Sequence, residues 1–171
     1  MIAMMSGVIG VVFTFLDSMY NPLSNLLGPI LISSTFGIYA LSAILPGVLF
    51  NKPMVSLIGA IFAAGINILT GNPYGIHIMV AGICQGLGME VALYLNKYKK
   101  INIWTYLIAS ILIVLFVTTR DYFVFSFGAL TLNIKIITVI IRFLSTFILG
   151  IIFSKLIRVA LSKVGLLSYG K

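Results

Sequence analysis

The charged residues of this chain are confined to short segments that separate long apolar runs. Of its 171 residues, only eleven are Lys or Arg and three are Asp or Glu, whereas hydrophobic residues make up 61%. Soluble domains carry charge on about 25% of their residues. A helix of about 20 apolar residues crosses the roughly 30 Å of hydrocarbon in a bilayer, and the apolar runs reach this length. The sequence therefore predicts a protein whose main solvent is lipid.

The division of the apolar runs predicts an all-α membrane protein. Every backbone amide must be hydrogen-bonded inside lipid, which only helices and closed barrels achieve, and the alternation typical of barrel strands is absent. Break signals at Asn51-Lys52-Pro53 and Gly71-Asn72-Pro73 separate neighbouring runs. We expect a single transmembrane domain over residues 1–171, built as a compact six-helix bundle. The predicted spans are about 2–20, 29–50, 53–70, 74–96, 102–119 and 134–160.

The distribution of basic residues predicts the orientation of this bundle. Lys and Arg are enriched in the cytoplasmic connections of membrane proteins. Arg120 and Lys135 lie on one side of the predicted bundle. The other side holds Lys52, Lys97, Lys99, Lys100, Lys155, Arg158, Lys163 and Lys171. Both termini are therefore expected in the cytoplasm.

The composition also argues against several functions. A net charge of +8 would suggest a nucleic-acid partner in a soluble protein, but here the basic residues flank spans, so none is expected. His77 and Cys84 are the single histidine and the single cysteine, too few for a zinc site. Three separated acids do not assemble a membrane protease site, and no phosphate loop is present. We expect no enzyme activity, no metal and no cofactor in this chain, and ATP, if it drives the protein, would be hydrolysed elsewhere.

Polar side chains within the spans are the candidates for function. A charged group at membrane depth costs about 2.5–3.5 kcal/mol, so each needs a partner or a role. His77 and Gln85 share a face of span four, and Thr138, Arg142 and Ser145 share a face of span six. These faces predict a cavity that opens to the outside. The predicted substrate-binding residues are Tyr39, Asn67, Tyr74, His77, Gln85, Asp121 and Arg142.

Each polar residue also has a structural alternative. His77, near a helix start, would suit a hydrogen-bonded position at the membrane interface. Arg142 with Asp121 would form a salt bridge that only holds helices together. Glu90 would pair with a cytoplasmic lysine, and Asp17 would cap the outer end of its helix. Gln85, at mid-depth, is the residue most favoured as functional.

Small residues recur at helical spacing in span one. Ser6, Gly10 and Thr14 form a stripe that would let another helix approach closely. The stripe lies near the predicted cytoplasmic end of the span. It would either dock the helix of a partner protein or pack inside the bundle.

Several motifs, taken in order along the chain, resemble the YkoE family, whose members are substrate-capture (S) components of energy-coupling-factor (ECF) transporters. The most specific is the block Gln85-Gly86-Leu87-Gly88-Met89-Glu90. The others are Phe36-Gly37-Ile38-Tyr39, Lys52-Pro53, Gly71-Asn72-Pro73, Asp121 and Ile141-Arg142-Phe143-Leu144-Ser145.

The resemblance implies a function and partners. It implies a six-helix S component in a prokaryotic cytoplasmic membrane, with both termini inside. Such a subunit would capture thiamine, its hydroxymethylpyrimidine precursor or a related heterocycle from outside, and the connections 21–28 and 120–133 would close over it. The implied partners are a membrane coupling subunit, contacted by the stripe Ser6, Gly10 and Thr14, and two ATPase subunits that use ATP.

Departures from the family pattern leave the substrate open. Family members usually carry acids on span three where this chain has Ala60 and Asn67, and a Trp where it has Tyr39. An acid would suit a cationic thiazolium or an aminopyrimidine. Two other functions remain as alternatives: a stand-alone small-solute carrier, for which no inverted repeat is seen, and a structural or assembly subunit of a membrane complex.

Overall fold

Helices account for almost all of the residues that the structure describes. The structure, a computed structural model, describes residues 2–125, 127–163 and 165, and no strand is found among these. Lys171, which entered the charge argument, lies outside them. The helices are α1 (Ile2–Ile32), α2 (Phe36–Phe50), α3 (Val55–Leu69), α4 (His77–Leu95), α5 (Ile103–Val124) and α6 (Leu132–Lys163).

The first two predicted spans are joined by helix and not by a loop. α1 continues past Tyr20 and changes direction at Gly28, whose φ of 74° lies in the left-handed region that glycine adopts readily. A 3₁₀ turn, Ser33–Thr35, then leads into α2. The expected connection over residues 21–28 is therefore helical and kinked, while the candidate membrane spans Ile2–Tyr20 and Ile30–Phe50 agree with the predicted spans on either side of it. Its polar residues suggested a loop, but a continued helix keeps the backbone hydrogen-bonded at the membrane boundary.

The later spans differ from their predicted bounds mainly at their outer ends. α5 extends to Val124, so Arg120 and Asp121 lie on a helix. The sequence had suggested that they lie in the connection after it. α6 begins at Leu132, which leaves a short outer connection that contains a second 3₁₀ turn, Phe127–Ala129. Five segments are long and apolar enough to cross a membrane, and α3, with 15 residues, is a shorter apolar helix.

Small residues let α4 lie close to both of its neighbours. A Cβ on Gly86 would lie 2.7 Å from the Cα of Leu57 on α3. A Cβ on Gly88 would lie 2.7 Å from the backbone nitrogen of Ile113 on α5. Close backbone approach of this kind drives helix association in lipid, where apolar burial gives no advantage. α4 is thereby fixed between α3 and α5, and its polar residue Gln85 is fixed with it.

The small-residue stripe of α1 packs inside the molecule. A Cβ on Gly10 would lie 2.6 Å from the carbonyl oxygen of Ala63 on α3. Ser6 is fully buried, and Thr14 donates to the Oδ1 atom of Asn67, also on α3, at 2.8 Å. The stripe faces α3, so it is not free to receive the helix of a partner protein.

The two connections that carry most of the lysines, after α2 and after α4, are held together by Glu90. Its Oε1 atom accepts hydrogen bonds from the backbone nitrogen of Met54 (2.8 Å) and from the hydroxyl of Tyr98 (2.7 Å). Partial burial and the bond to Glu90 raise the pKa of Tyr98 to about 12, so this phenol stays a donor at neutral pH. Asn51 donates to the carbonyl oxygens of Tyr98 and Lys99. Glu90 thus accepts hydrogen bonds from Tyr98 and Met54, whereas the structural alternative had paired it with a cytoplasmic lysine.

Candidate functional site

A cavity of about 430 Å³ lies at the end of the bundle marked by the connections that follow α3 and α5. Its wall includes residues of α1, α2, α4, α5 and α6. The lysine-bearing connections, by contrast, follow α2 and α4. Ligand pockets for small molecules commonly measure 300–1,000 Å³. The cavity is therefore large enough for a small heterocycle, on the side of the bundle with few basic connections.

One end of the cavity is organised around Asp17. This residue is only 2% exposed. Its Oδ1 atom accepts from the Tyr39 hydroxyl at 2.9 Å, and its Oδ2 atom accepts from the Asn67 side-chain amide at 2.8 Å. Asn67 in turn accepts from Thr14 at 2.8 Å. Three helices thus fix one carboxylate on the cavity wall, and its two donors compensate for its removal from water.

Gln85 supplies a second polar group to the wall. Its side-chain oxygen accepts from the Ser42 hydroxyl at 2.9 Å, which fixes the orientation of the amide. The residue is 5% exposed and lines the cavity. Within the described part of the chain, the amide nitrogen makes no hydrogen bond. It is a donor available to a ligand.

The part of the cavity wall formed by α5 and α6 is organised around Asp121. Its Oδ2 atom lies 2.7 Å from Nη1 of Arg142, and its Oδ1 atom lies 3.3 Å from Nε of Arg120. Arg142 also lies against the rings of Phe36 and Phe127, 5.0 and 5.5 Å from their centroids. The predicted contact between Asp121 and Arg142 is present, and Arg120 joins it.

Aromatic side chains line the cavity beside the connections that follow α3 and α5. Tyr74 packs edge-on against Tyr20 and Phe125, with ring centroids 6.2 and 6.0 Å apart. Burial raises the pKa of the Tyr74 phenol to about 12, so it remains neutral at physiological pH. Rings with this arrangement offer stacking faces to a planar ligand.

The structure brings most of the predicted site residues to this cavity. Those on its wall are Tyr39, Tyr74, Gln85, Asp121 and Arg142. The other two do not line it. Asn67 is fully buried and acts on the site through Asp17, and His77 packs against the Phe125 ring at 6.0 Å.

Sequence reasoning missed two charged residues of the wall. For Asp17 the sequence suggested a helix cap as an alternative and left a functional role open, although a buried acid within a span is itself a signal of a site. Arg120 was placed in a connection because the apolar run ends at Thr119. The continued helix turns it towards the cavity.

The fold and this cavity define a membrane-embedded subunit that binds a small solute, with the fold of an ECF S component. The structure matches a crystal structure of an S-component of an ECF transporter with a TM-score of 0.90 and 27% sequence identity, covering 96% of this chain and 83% of that one. The chain belongs to the family described as the permease component of the ABC-type cobalt transport system, which matches residues 1–116.

A named relative points the same way. The chain is 27% identical over 166 residues to the putative HMP/thiamine permease protein YkoE of Bacillus subtilis (strain 168), covering 97% of this chain and 83% of the relative. The predicted resemblance and the predicted fold class are both confirmed. The protein is therefore a multi-pass membrane protein of the transporter type and the substrate-binding subunit of an ECF importer.

Proposed function

We propose that this protein captures thiamine, its hydroxymethylpyrimidine precursor or a closely related heterocycle from outside the cell. The observation that carries the proposal is the buried carboxylate of Asp17 on the cavity wall, fixed by Tyr39 and Asn67. The relative named as an HMP/thiamine permease supports the choice of substrate class.

The chemistry of the wall suits such a ligand. An aminopyrimidine presents N–H donors that a carboxylate accepts, and the cationic thiazolium of thiamine is attracted to the same negative charge. Gln85 offers an amide donor to a ring nitrogen. Tyr39 and Tyr74 offer aromatic faces for stacking.

The carboxylate of Asp17 also supplies the negative charge that α3 lacks at Ala60 and Asn67. α3 carries no acid at these positions, but the Asn67 amide holds the Asp17 carboxylate of α1 at 2.8 Å. The negative charge therefore enters from a neighbouring helix. Asn67 is proposed as a positioning residue that acts through Asp17.

A heterocycle fits the cavity better than the metal ion in the family's description. Among the described residues, no group of three or more His, Cys, Asp or Glu side chains that could hold a metal ion is found. The wall combines rings with single polar groups, which is typical of sites for organic ligands.

The energising machinery is proposed to lie in other chains. We propose a membrane coupling subunit and two ATPase subunits as partners, with ATP used by the ATPases and no cofactor in this chain. The proposed location is the cytoplasmic membrane of a prokaryotic cell, with both termini inside. The coupling subunit would contact surfaces other than Ser6, Gly10 and Thr14, because these pack on α3.

The test is thermal stabilisation of the purified protein by thiamine, hydroxymethylpyrimidine, riboflavin and biotin. A ligand at 100 times its Kd stabilises the native state by about 2.7 kcal/mol, which raises Tm. Thiamine or the pyrimidine should raise Tm, and riboflavin and biotin should not. A shift with riboflavin or biotin alone would contradict the substrate class.

Asp17→Asn tests the residue that carries the proposal. The amide keeps the size of the side chain but removes its charge, so thiamine should bind at least ~10-fold more weakly, the equivalent of about 1.4 kcal/mol. Glu90→Gln is the matched control, since this buried acid lies at the other end of the bundle and should leave affinity unchanged. Unchanged binding by Asp17→Asn would remove Asp17 from the site.

A further inference from the structure

We propose that the α5–α6 end of the cavity is an anion subsite formed by Arg120, Arg142 and Thr138, and that it takes a phosphate ester carried by the captured heterocycle. The proposal rests on the function proposed above and narrows its substrate class. It is independent of the Asp17 end of the cavity.

The first observation is the charge balance at this end of the cavity. Asp121 is a single carboxylate in contact with two guanidinium groups. The side chains of Arg120 and Arg142 are only 11% and 12% exposed. One positive charge is therefore left without a counter-charge in a poorly hydrated site, where such a charge is costly. A ligand anion would compensate for it.

The second observation is a set of buried donors without acceptors. Among the described residues, Nε and Nη1 of Arg120 and Nε of Arg142 are buried and make no hydrogen bond. Nε of Arg120 lies 3.3 Å from Asp121, but without the alignment that a bond requires. Thr138 is 2% exposed and lines the cavity, and its hydroxyl has no partner in this part of the chain either. Buried polar groups are nearly always hydrogen-bonded, so these groups call for an acceptor.

The chemistry of these donors favours phosphate. A guanidinium presents N–H groups in a planar fork that matches two phosphate oxygens. The guanidinium of Arg120 lies over the ring of Phe125, 4.9 Å from the ring centroid, and both residues line the cavity. A threonine hydroxyl adds one further donor. The hydroxyl of an unphosphorylated pyrimidine carries no charge and would leave the guanidinium uncompensated.

The wall of the cavity carries both signs of charge. Asp17 presents negative charge, and the two arginines with Asp121 present net positive charge on the same wall. A ligand with a basic or N–H-rich ring at one end and a phosphate at the other complements both charges. Monophosphates of thiamine or of hydroxymethylpyrimidine have this pattern.

The test compares binding of thiamine, thiamine monophosphate, hydroxymethylpyrimidine and its monophosphate by calorimetry, with inorganic phosphate as a separate titrant. Each ester should bind at least ~10-fold more tightly than its parent. Arg120→Gln should weaken binding of each ester much more than binding of its parent, so that the preference is lost. Lys135→Gln is the control. It removes a positive charge near the same connection, but Lys135 does not line the cavity, so the preference for the esters should remain.

Thr138→Val provides a second variant with a small change in volume, and should reduce the ester preference without loss of Tm. Equal binding of ester and parent to the native protein would overturn the subsite while leaving the proposed function intact. Equal weakening of both by Arg120→Gln would also overturn it, since that is the result of a structural role. If no heterocycle binds, the proposed function fails, and the subsite fails with it when inorganic phosphate has no effect either. If inorganic phosphate raises the Tm of the native protein but not that of Arg120→Gln, the subsite stands on its own.

Discussion

Asp17 shows how one buried carboxylate connects residues from three helices. It accepts from Tyr39 of α2 and Asn67 of α3, and lies on α1. An unpaired carboxylate would be costly at membrane depth, so the donors are needed whether or not a ligand is bound. Because the donors hold its position beforehand, a ligand does not have to order the group, which lowers the cost of binding.

Gln85 tests whether a neutral group of the wall contacts the ligand directly. Gln85→Ala removes an amide whose nitrogen has no partner within the described residues, and thiamine affinity should fall by about 1–3 kcal/mol if the contact is direct. Calorimetry on the detergent-purified protein measures this. Ser154→Ala is the control, since its hydroxyl is buried without a partner and does not line the cavity. Native affinity in Gln85→Ala would exclude the amide from the site.

Residue roles could be predicted from the sequence as far as depth and helix face determine them. Tyr39, Gln85 and Arg142 were predicted to bind substrate, and they lie on the cavity wall. Asn67 was predicted to line the wall, but it lies behind Asp17 and donates to its carboxylate. Contacts between helices decide which of two neighbouring polar residues faces the ligand. The periodicity of a single helix carries no information on those contacts.

At the scale of the element, α1 is defined by one face that packs and one that does not. Gly10 lies against α3, where an added Cβ would meet the Ala63 carbonyl oxygen at 2.6 Å. Gly7, one turn earlier, would meet nothing within 4 Å. The two glycines of the same helix therefore differ in function: one permits close approach, and the other has open space beside it.

Gly10→Leu and Gly7→Leu form a matched pair. In Gly10→Leu the side chain must push α1 away from α3, at a cost of about 1–3 kcal/mol or more, and Tm should fall by several degrees. Gly7→Leu should keep or slightly raise Tm, since leucine has the higher helix propensity. Differential scanning fluorimetry in detergent compares them. Equal Tm values would show that the α1–α3 contact does not limit stability.

Element existence followed from the sequence, whereas element ends did not. The apolar runs located six helices, but α1 and α5 extend beyond the runs by residues that are polar or charged. Asp121 contacts both Arg120 and Arg142, so these charged residues can continue a helix that their charges seemed to end. Partners supplied by other helices thus decide where a helix stops.

At the scale of the whole molecule, the cavity lies at one end and the lysines of the connections after α2 and α4 lie at the other. The cavity lies beside the connections after α3 and α5 and beside the outer end of the first predicted span. Lys52, Lys97, Lys99 and Lys100 lie in the connections after α2 and α4 and are exposed. The positive-inside rule therefore predicts that the cavity opens away from the cytoplasm. The proposed capture from outside requires this orientation.

Thiol labelling in intact cells tests this orientation. In a Cys84→Ala background, Thr131→Cys places a thiol in the outer connection and Lys99→Cys places one in the inner connection, both at exposed positions. A membrane-impermeant maleimide should label Thr131→Cys in intact cells and Lys99→Cys only after the membrane is opened, because the charged reagent cannot cross the hydrocarbon. Labelling in the reverse order would place the cavity on the cytoplasmic side. The protein would then receive its ligand from inside the cell, and capture from outside would be excluded even if thiamine binds.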